Sequence, residues 1–131
     1  MNSLSEKHKR AVSSTIHILE KSIDEMMYML TNHFDGTSYK VKEDIDDKRK
    51  TEILKKIKKL KKLIENFSAE YKLNKNVIIQ SRVFESKKTF WGIYLEDISS
   101  DRLNKKYGAM SVDEKEYDGK LQNMINFIKS L

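Results

Sequence analysis

The sequence predicts an all-α protein, in which residues 1–131 form a single domain with the architecture of an antiparallel four-helix bundle. The chain contains no proline and only four glycines, so few residues would interrupt a helix. Apolar residues also recur at alternating spacings of four and three, which places them on one face of a helix. Four helices of this kind bury their apolar faces by packing against one another, as in a bundle.

The first helix is expected to begin at a capping box, in which Ser3 caps the helix and Glu6 reaches back to it. It is expected to end near Asn32. A long acidic connection follows, whose aromatic residues Phe34 and Tyr39 are expected to cover one end of the core. The apolar stripe of this helix comprises Val12, Ile16, Leu19, Ile23, Met26 and Leu30.

The second helix is expected to follow Asp44, Asp46 and Asp47, because carboxylates stabilise the N-terminal end of a helix and cap its free N–H groups. It is expected to reach about Leu73. Its apolar stripe comprises Ile53, Ile57, Leu60, Ile64, Phe67 and Tyr71.

Residues 77–107 are predicted to form one long third helix, with a kink near residues 85–89, where the polar run ESKKT interrupts the apolar pattern. Gly108 is expected to end this helix as a C-terminal cap glycine. A second capping box, Ser111 with Glu114, is expected to begin the fourth helix. The apolar stripe of that helix comprises Tyr117, Leu121, Met124, Ile128 and Leu131.

A Leu-Glu-Asp step, Leu95 to Asp97, and a terminal Tyr107–Gly108 pair mark the third helix. In these features the segment resembles the closing part of small, functionally unassigned all-helical bacterial proteins. The resemblance covers about a third of the chain. It implies a helical fold and brings no functional residues with it.

Composition excludes several kinds of site. The chain has no cysteine, which excludes disulfides, thiolate nucleophiles and cysteine-ligated metal sites. No cofactor, metal site or small-molecule substrate is predicted. No apolar run approaches the roughly 18 residues of a membrane span, and the N-terminal stretch lacks the apolar core of a signal peptide. We therefore expect a cytoplasmic protein without a membrane partner.

Positive charge is concentrated in the second helix. The net charge is +6, while residues 48–72 alone carry +7. The lysines that lie opposite the apolar stripe on a helical wheel are Lys48, Lys55, Lys58, Lys59 and Lys62. One interpretation is a solvated helix face. The other is a phosphate-binding ridge, which would bind nucleic acid without sequence specificity, because only 4 of the 26 basic residues are arginine.

Arg10 and His17, separated by six residues, are the candidate catalytic residues. Their spacing resembles the Arg-x(4–6)-His element of HEPN-type ribonucleases, which are helical bundles. That resemblance implies that Arg10 stabilises charge and His17 acts as acid or base on an RNA phosphodiester. The family's polar residue after the arginine is Ala11 here, and the element lies in the first helix rather than late in the chain.

The function that the sequence favours is a non-enzymatic helical module that binds another protein or a second copy of itself. Apolar groups near Trp91 point in several directions, as in a helix that is either central in the bundle or offers a second face to a partner. Trp91 and Leu95 are expected in the core. The candidate interface residues are Phe90, Tyr94, Asp97 and Asp101. A small bacterial or phage regulatory factor would fit this description. The alternatives are nucleic-acid binding through the lysine face and ribonuclease activity.

Overall fold

The computed structural model describes residues 3–131, and over that range the chain forms five α-helices and no β-strand. The prediction of an all-α protein is therefore confirmed. The helices are α1 (Glu6–Thr31), α2 (Asp47–Glu70), α3 (Gln80–Glu96), α4 (Ser100–Tyr107) and α5 (Glu114–Lys129). None of the helices in the described range is long and apolar enough to cross a membrane.

The start of α1 lies two residues later than predicted. Ser5, rather than Ser3, is the N-terminal cap, and its hydroxyl accepts a hydrogen bond from the N–H of His8 at 3.2 Å. The same hydroxyl lies 2.7 Å from Nδ1 of His8. Two serines compete for one capping position in this sequence, and the second one holds it. The predicted end at Asn32 is confirmed, since Asn32 is the C-terminal cap.

The termini of α2 are both closed by local hydrogen bonds. Asp46 caps the N-terminus, accepting from the N–H of Arg49 at 2.8 Å, as the acidic run predicted. At the other end, the N–H of Leu73 donates to the carbonyl of Ser68 at 2.9 Å. Lys72 between them has φ 54°, the left-handed conformation of a Schellman motif, which usually carries glycine. The helix therefore ends at Glu70, just short of the predicted limit.

The prediction of one helix over residues 77–107 is wrong. Residues 85–89, the expected kink, lie inside α3 without interruption, whereas the helix stops at Glu96 and restarts at Ser100. Ser99 explains the restart. Its backbone is extended, and its hydroxyl caps α4 by accepting from the N–H of Arg102.

Gly108 ends α4 as predicted. It has φ 90°, and its N–H donates to the carbonyl of Asn104 at 3.0 Å. The second predicted capping box does not form, because Asp113 rather than Ser111 caps α5. Glu114 instead accepts a hydrogen bond from the side chain of Asn104 at 2.6 Å, which ties α4 to the start of α5.

The chain divides into two compact units, Met1–Asn76 and Val77–Leu131. In the first unit α1 packs against α2. Its buried core is Ile23, Ile57 and Ile64, all three of which belong to the predicted stripes. The half-buried residues packed around this core are Ile16, Met27, Leu30 and Ile53.

The two helices of the first unit run in opposite directions. Glu43, in the connection, accepts from Lys50 near the start of α2 at 3.0 Å and lies 2.9 Å from His33, which follows the end of α1. Further from the connection, Lys61 of α2 pairs with Asp24 of α1. Residues earlier in α1 therefore pair with residues later in α2, and this pattern defines an antiparallel helical hairpin.

In the second unit α5 packs against both α3 and α4. Leu121 and Ile125 of α5 are its buried apolar residues within the described range. Beside them Ser100, the first residue of α4, is also buried and donates to Asp118 through both its backbone N–H, at 2.9 Å, and its hydroxyl. A carboxylate from α5 thus holds the start of α4 in place.

We expect Lys72→Gly to raise the free energy of unfolding by about 0.5–1 kcal/mol, because glycine adopts a positive φ without the steric cost of a Cβ atom. Urea denaturation followed by far-ultraviolet circular dichroism measures the change. Lys72→Ala is the control, since it removes the charge and keeps the Cβ atom. An equal gain from alanine would contradict the explanation.

We also expect Asp118 to make the stability of the second unit sensitive to acid. The hydrogen bonds from the side chain and then the backbone of Ser100 hold the pKa of Asp118 below its ordinary value of 3.8. The resulting stabilisation is complete above that value and is lost as the pH falls through the lower folded pKa. Asp118→Asn should therefore flatten the dependence of stability on pH between about 5 and 2. Fluorescence of Trp91 during denaturation at each pH reports this difference, and parallel curves would contradict it.

Candidate functional site

The lysine face of α2 comprises the five residues predicted from the helical wheel, Lys48, Lys55, Lys58, Lys59 and Lys62. All five are exposed. They lie on the side of α2 away from Ile57 and Ile64, which face α1. The face is therefore held open to solvent by the same packing that forms the core of the hairpin.

Most of the lysine face is electrostatically unpaired. Lys62 lies 3.5 Å from Glu65, a pair exposed enough to contribute little. The other four lysines of the face have no carboxylate within 4.0 Å among residues 3–131. Their charges are free to attract an anionic ligand.

Neighbouring basic residues of the same run have structural roles instead. The hydrogen bond from Lys50 holds the pKa of Glu43 below its ordinary value, and the hydrogen bond to Asp24 holds the pKa of Lys61 above its own. Because these two lysines join α2 to other parts of the hairpin, they are less available for a ligand. The basic residues of α2 therefore fall into two groups. Lys50 and Lys61 form ion pairs within the hairpin, whereas the lysine face is available to a ligand.

A second surface of the first unit is an exposed strip, here called the apolar seam, along one side of the α1–α2 hairpin. Its members expose between 39% and 68% of their surface. They are Ile18, Leu19, Met26, Met29, Leu60, Leu63 and Phe67. At about 100° per residue, the α1 members lie roughly 40–140° to one side of Ile23, and the α2 members lie roughly 60–120° to one side of Ile57, in the same rotational sense.

In an antiparallel pair, equal rotation away from the contact carries both helices to the same side. The seam is therefore one continuous surface formed by α1 and α2. The ion pair of Asp24 and Lys61 supports this geometry, because both residues lie on the opposite rotation, along the other side of the hairpin. One side of the hairpin thus carries an ion pair between the two helices, and the other side is apolar and exposed to solvent.

In the second unit, α3 packs against α5 and also carries an exposed aromatic face, part of which flanks that contact. The residues of this face are Phe84, Phe90, Trp91 and Tyr94, which expose between 41% and 60% of their surface. They span about 120° of the helix, with the half-buried Val83 among them. The rings of Phe90 and Tyr94 stack with their centroids 6.4 Å apart.

The two acidic residues of the predicted interface, Asp97 and Asp101, both form ion pairs with neighbouring basic residues. Asp97, immediately after α3, pairs with Arg102, and Asp101 pairs with Lys105 at 3.2 Å. Each carboxylate is therefore matched by a cation from its own neighbourhood. Phe90 and Tyr94 contact each other but remain 51% and 60% exposed, so they are the part of the predicted interface that is still available to a partner.

Arg10 and His17 lie on one side of α1, seven residues and so about two helical turns apart. Arg10 is exposed and His17 is half-buried. Among residues 3–131 no group of three or more acidic or histidine side chains could hold a metal ion. Their assignment to acid–base chemistry stays a prediction.

No family model matches this sequence. Searches of curated proteins and of solved structures also find no match. The exposed surfaces themselves are therefore what indicates a function.

The apolar seam was missed by the sequence analysis, although a signal for it was present. Ile18, Met29 and Leu63 lie just outside the predicted stripes. Together with Leu19, Met26, Leu60 and Phe67 they widen each apolar arc beyond what one neighbouring helix covers. A broad arc of this kind indicates contact with more than one helix.

Proposed function

We propose that this protein is a non-enzymatic helical module that binds another protein, and that the aromatic face of α3 is a principal contact. One observation carries the proposal. Four large aromatic residues lie within about 120° of α3, a helix that also packs on α5, and each exposes at least 41% of its surface. Scattered apolar residues on a surface are ordinary, whereas a contiguous aromatic patch marks a contact site.

The residue types also favour a protein partner. Tryptophan and tyrosine are enriched among the residues that dominate binding energy, because they bury a large rigid area and retain a polar atom. Burying a large apolar side chain completely contributes about 1.5–3 kcal/mol, so four half-exposed aromatics offer a substantial driving force. Nothing in this arrangement requires a cofactor, a metal or a small-molecule substrate.

The antiparallel four-helix bundle predicted from the sequence has a place in this proposal. A helix pair exposes apolar area that two further helices would cover, and a helical partner would supply them. A bundle formed in this way would bury the apolar faces that the four-and-three spacing of the sequence predicts. The chain has no cysteine, which suits a reducing cytoplasm, and this is the location that we propose.

The double variant Phe90→Ala/Tyr94→Ala should weaken partner binding at least about tenfold, because both truncations remove stacked aromatic area from the contact. Proteins cross-linked to the wild-type chain in cells of its source would be identified, purified and titrated against each variant by calorimetry. Phe127→Ala is the control, since Phe127 is 71% exposed but lies on α5, outside the aromatic face. A partner that binds wild type and the double variant equally would exclude this face, and finding no partner would count against the function.

A second candidate function, non-specific nucleic-acid binding, is favoured by the four unpaired lysines of the lysine face. Lysine is a compact charge that attracts phosphate without reading bases. The face contains no aromatic residue for base stacking, which agrees with a purely electrostatic contact. Five phosphate contacts would make the logarithm of affinity fall by about 4.5 per tenfold rise in salt.

If this second function holds, affinity for labelled duplex DNA or RNA should fall about 500-fold between 50 and 200 mM salt, as measured by fluorescence anisotropy. Reversing Lys55, Lys58, Lys59 and Lys62 to glutamate should abolish binding while leaving the helical content unchanged. The control reverses four exposed lysines elsewhere, Lys75, Lys87, Lys106 and Lys115, and so makes the same change in net charge. Absence of binding at 50 mM salt, or equal loss in the control, would reject the lysine face.

A further inference from the structure

We propose that the apolar seam of the α1–α2 hairpin is a homodimer interface, on which the seam of a second copy of this chain packs. The inference extends the proposed function, since it names one partner and a surface distinct from the aromatic face of α3. Two hairpins joined in this way would form an antiparallel four-helix bundle from two chains.

The size of the seam fits a stable dimer. Taking roughly 200 Å² for a fully exposed large apolar side chain, its seven members together expose on the order of 700 Å². Two such surfaces would bury about 1,400 Å² in total, within the usual range of about 1,200–2,000 Å² for specific complexes. The contact of α1 with α2 leaves this area uncovered, because the residues that it buries or half-buries, Ile23, Ile57 and Ile64 with Ile16, Met27, Leu30 and Ile53, are not members of the seam.

The composition of the seam suits a copy of itself. On α1 the arc of the seam also contains His8, Ala11, Thr15 and Ser22, of which Ser22 lies between the large residues Leu19 and Met26. No acidic residue, lysine or arginine of α1 lies within the arc. Small residues between large ones form a surface of knobs and holes, into which the same surface can interdigitate. A two-fold interface requires this property, because each surface must be complementary to itself.

Charge at the seam is also self-complementary. Lys56 of α2 lies among Leu60, Leu63 and Phe67 on the helical wheel, and no carboxylate lies within 4.0 Å of it among the described residues. Glu25 of α1 and Glu52 of α2 border the seam on its outer edges, and Glu52 lies 3.5 Å from Arg49, a second basic residue within the α2 arc of the seam. A two-fold contact can bring this lysine of one copy to the bordering acids of the other, with its aliphatic stem covering apolar surface.

The test is the mass of the full chain in solution between about 5 and 200 µM, a range that detects the micromolar dimers an interface of this size commonly forms. Size-exclusion chromatography with light scattering should give twice the 15.5 kDa of one chain. Met29→Glu/Leu63→Glu should weaken the dimer at least about 30-fold, because each copy would bury two new carboxylates. Met29 and Leu63 are 62% and 60% exposed in the hairpin, so these changes should leave its fold intact. Circular dichroism checks this.

The matched control is Tyr28→Glu/Ala69→Glu, which adds the same two charges to the same two helices, about 120–140° from the hairpin contact on the side away from the seam. It should dimerise as the wild type does. A chain that is monomeric at 200 µM overturns the homodimer and leaves binding through the aromatic face of α3 as a separate question. A dimer that survives the seam variant, or is lost equally in the control, also overturns it. Because this experiment contains no other protein, its result is independent of whether a partner for α3 is found.

Discussion

The constraint on which this protein depends is the small amount of apolar area that helices bury when they pack in pairs. A helix covers one stripe of its neighbour, and the described residues contain only five buried apolar side chains, three in the α1–α2 hairpin and two in α5. Isolated helices are marginal in water, so this packing contributes most of the stability of each unit. Large side chains beside the stripes stay exposed for the same reason. The surfaces available for binding follow directly from the incomplete burial.

Polar interactions occupy part of the surface that the apolar contacts leave exposed. Asp24 and Lys61 occupy one side of the hairpin, and the cluster of Glu43, Lys50 and His33 closes the end where the connection lies. The lysine face and the apolar seam occupy other sides, so the hairpin presents chemically distinct surfaces that can be altered separately. In the second unit, Asp118 holds the start of α4 against α5, and α3 keeps its aromatic face free. Each unit thus combines a charged or hydrogen-bonded contact with an apolar surface.

Helical periodicity predicted the core of the hairpin well, because Ile23 belongs to the apolar stripe of α1 and Ile57 and Ile64 belong to that of α2. It predicted helix ends less well where two capping residues stand close together, since local hydrogen-bond geometry chooses between them. The break before α4 was missed because Ser99 interrupts the helix by capping the next one, without proline or glycine. Pairing of helices and exposure of the wider arcs were beyond prediction, because periodicity gives the direction of an apolar face and does not identify its neighbour.

The Schellman turn at Lys72 has a consequence for how the protein is made. Every hydrogen bond and ion pair described above for the hairpin joins residues no later than Leu73. The ribosome releases the N-terminal part of a chain first, and such a part folds once its own contacts are available. The hairpin can therefore fold without any contact from residues 74–131 once it has left the ribosome. If the proposed homodimer forms, hairpins that emerge from neighbouring ribosomes on one messenger RNA could pair while both chains are still attached.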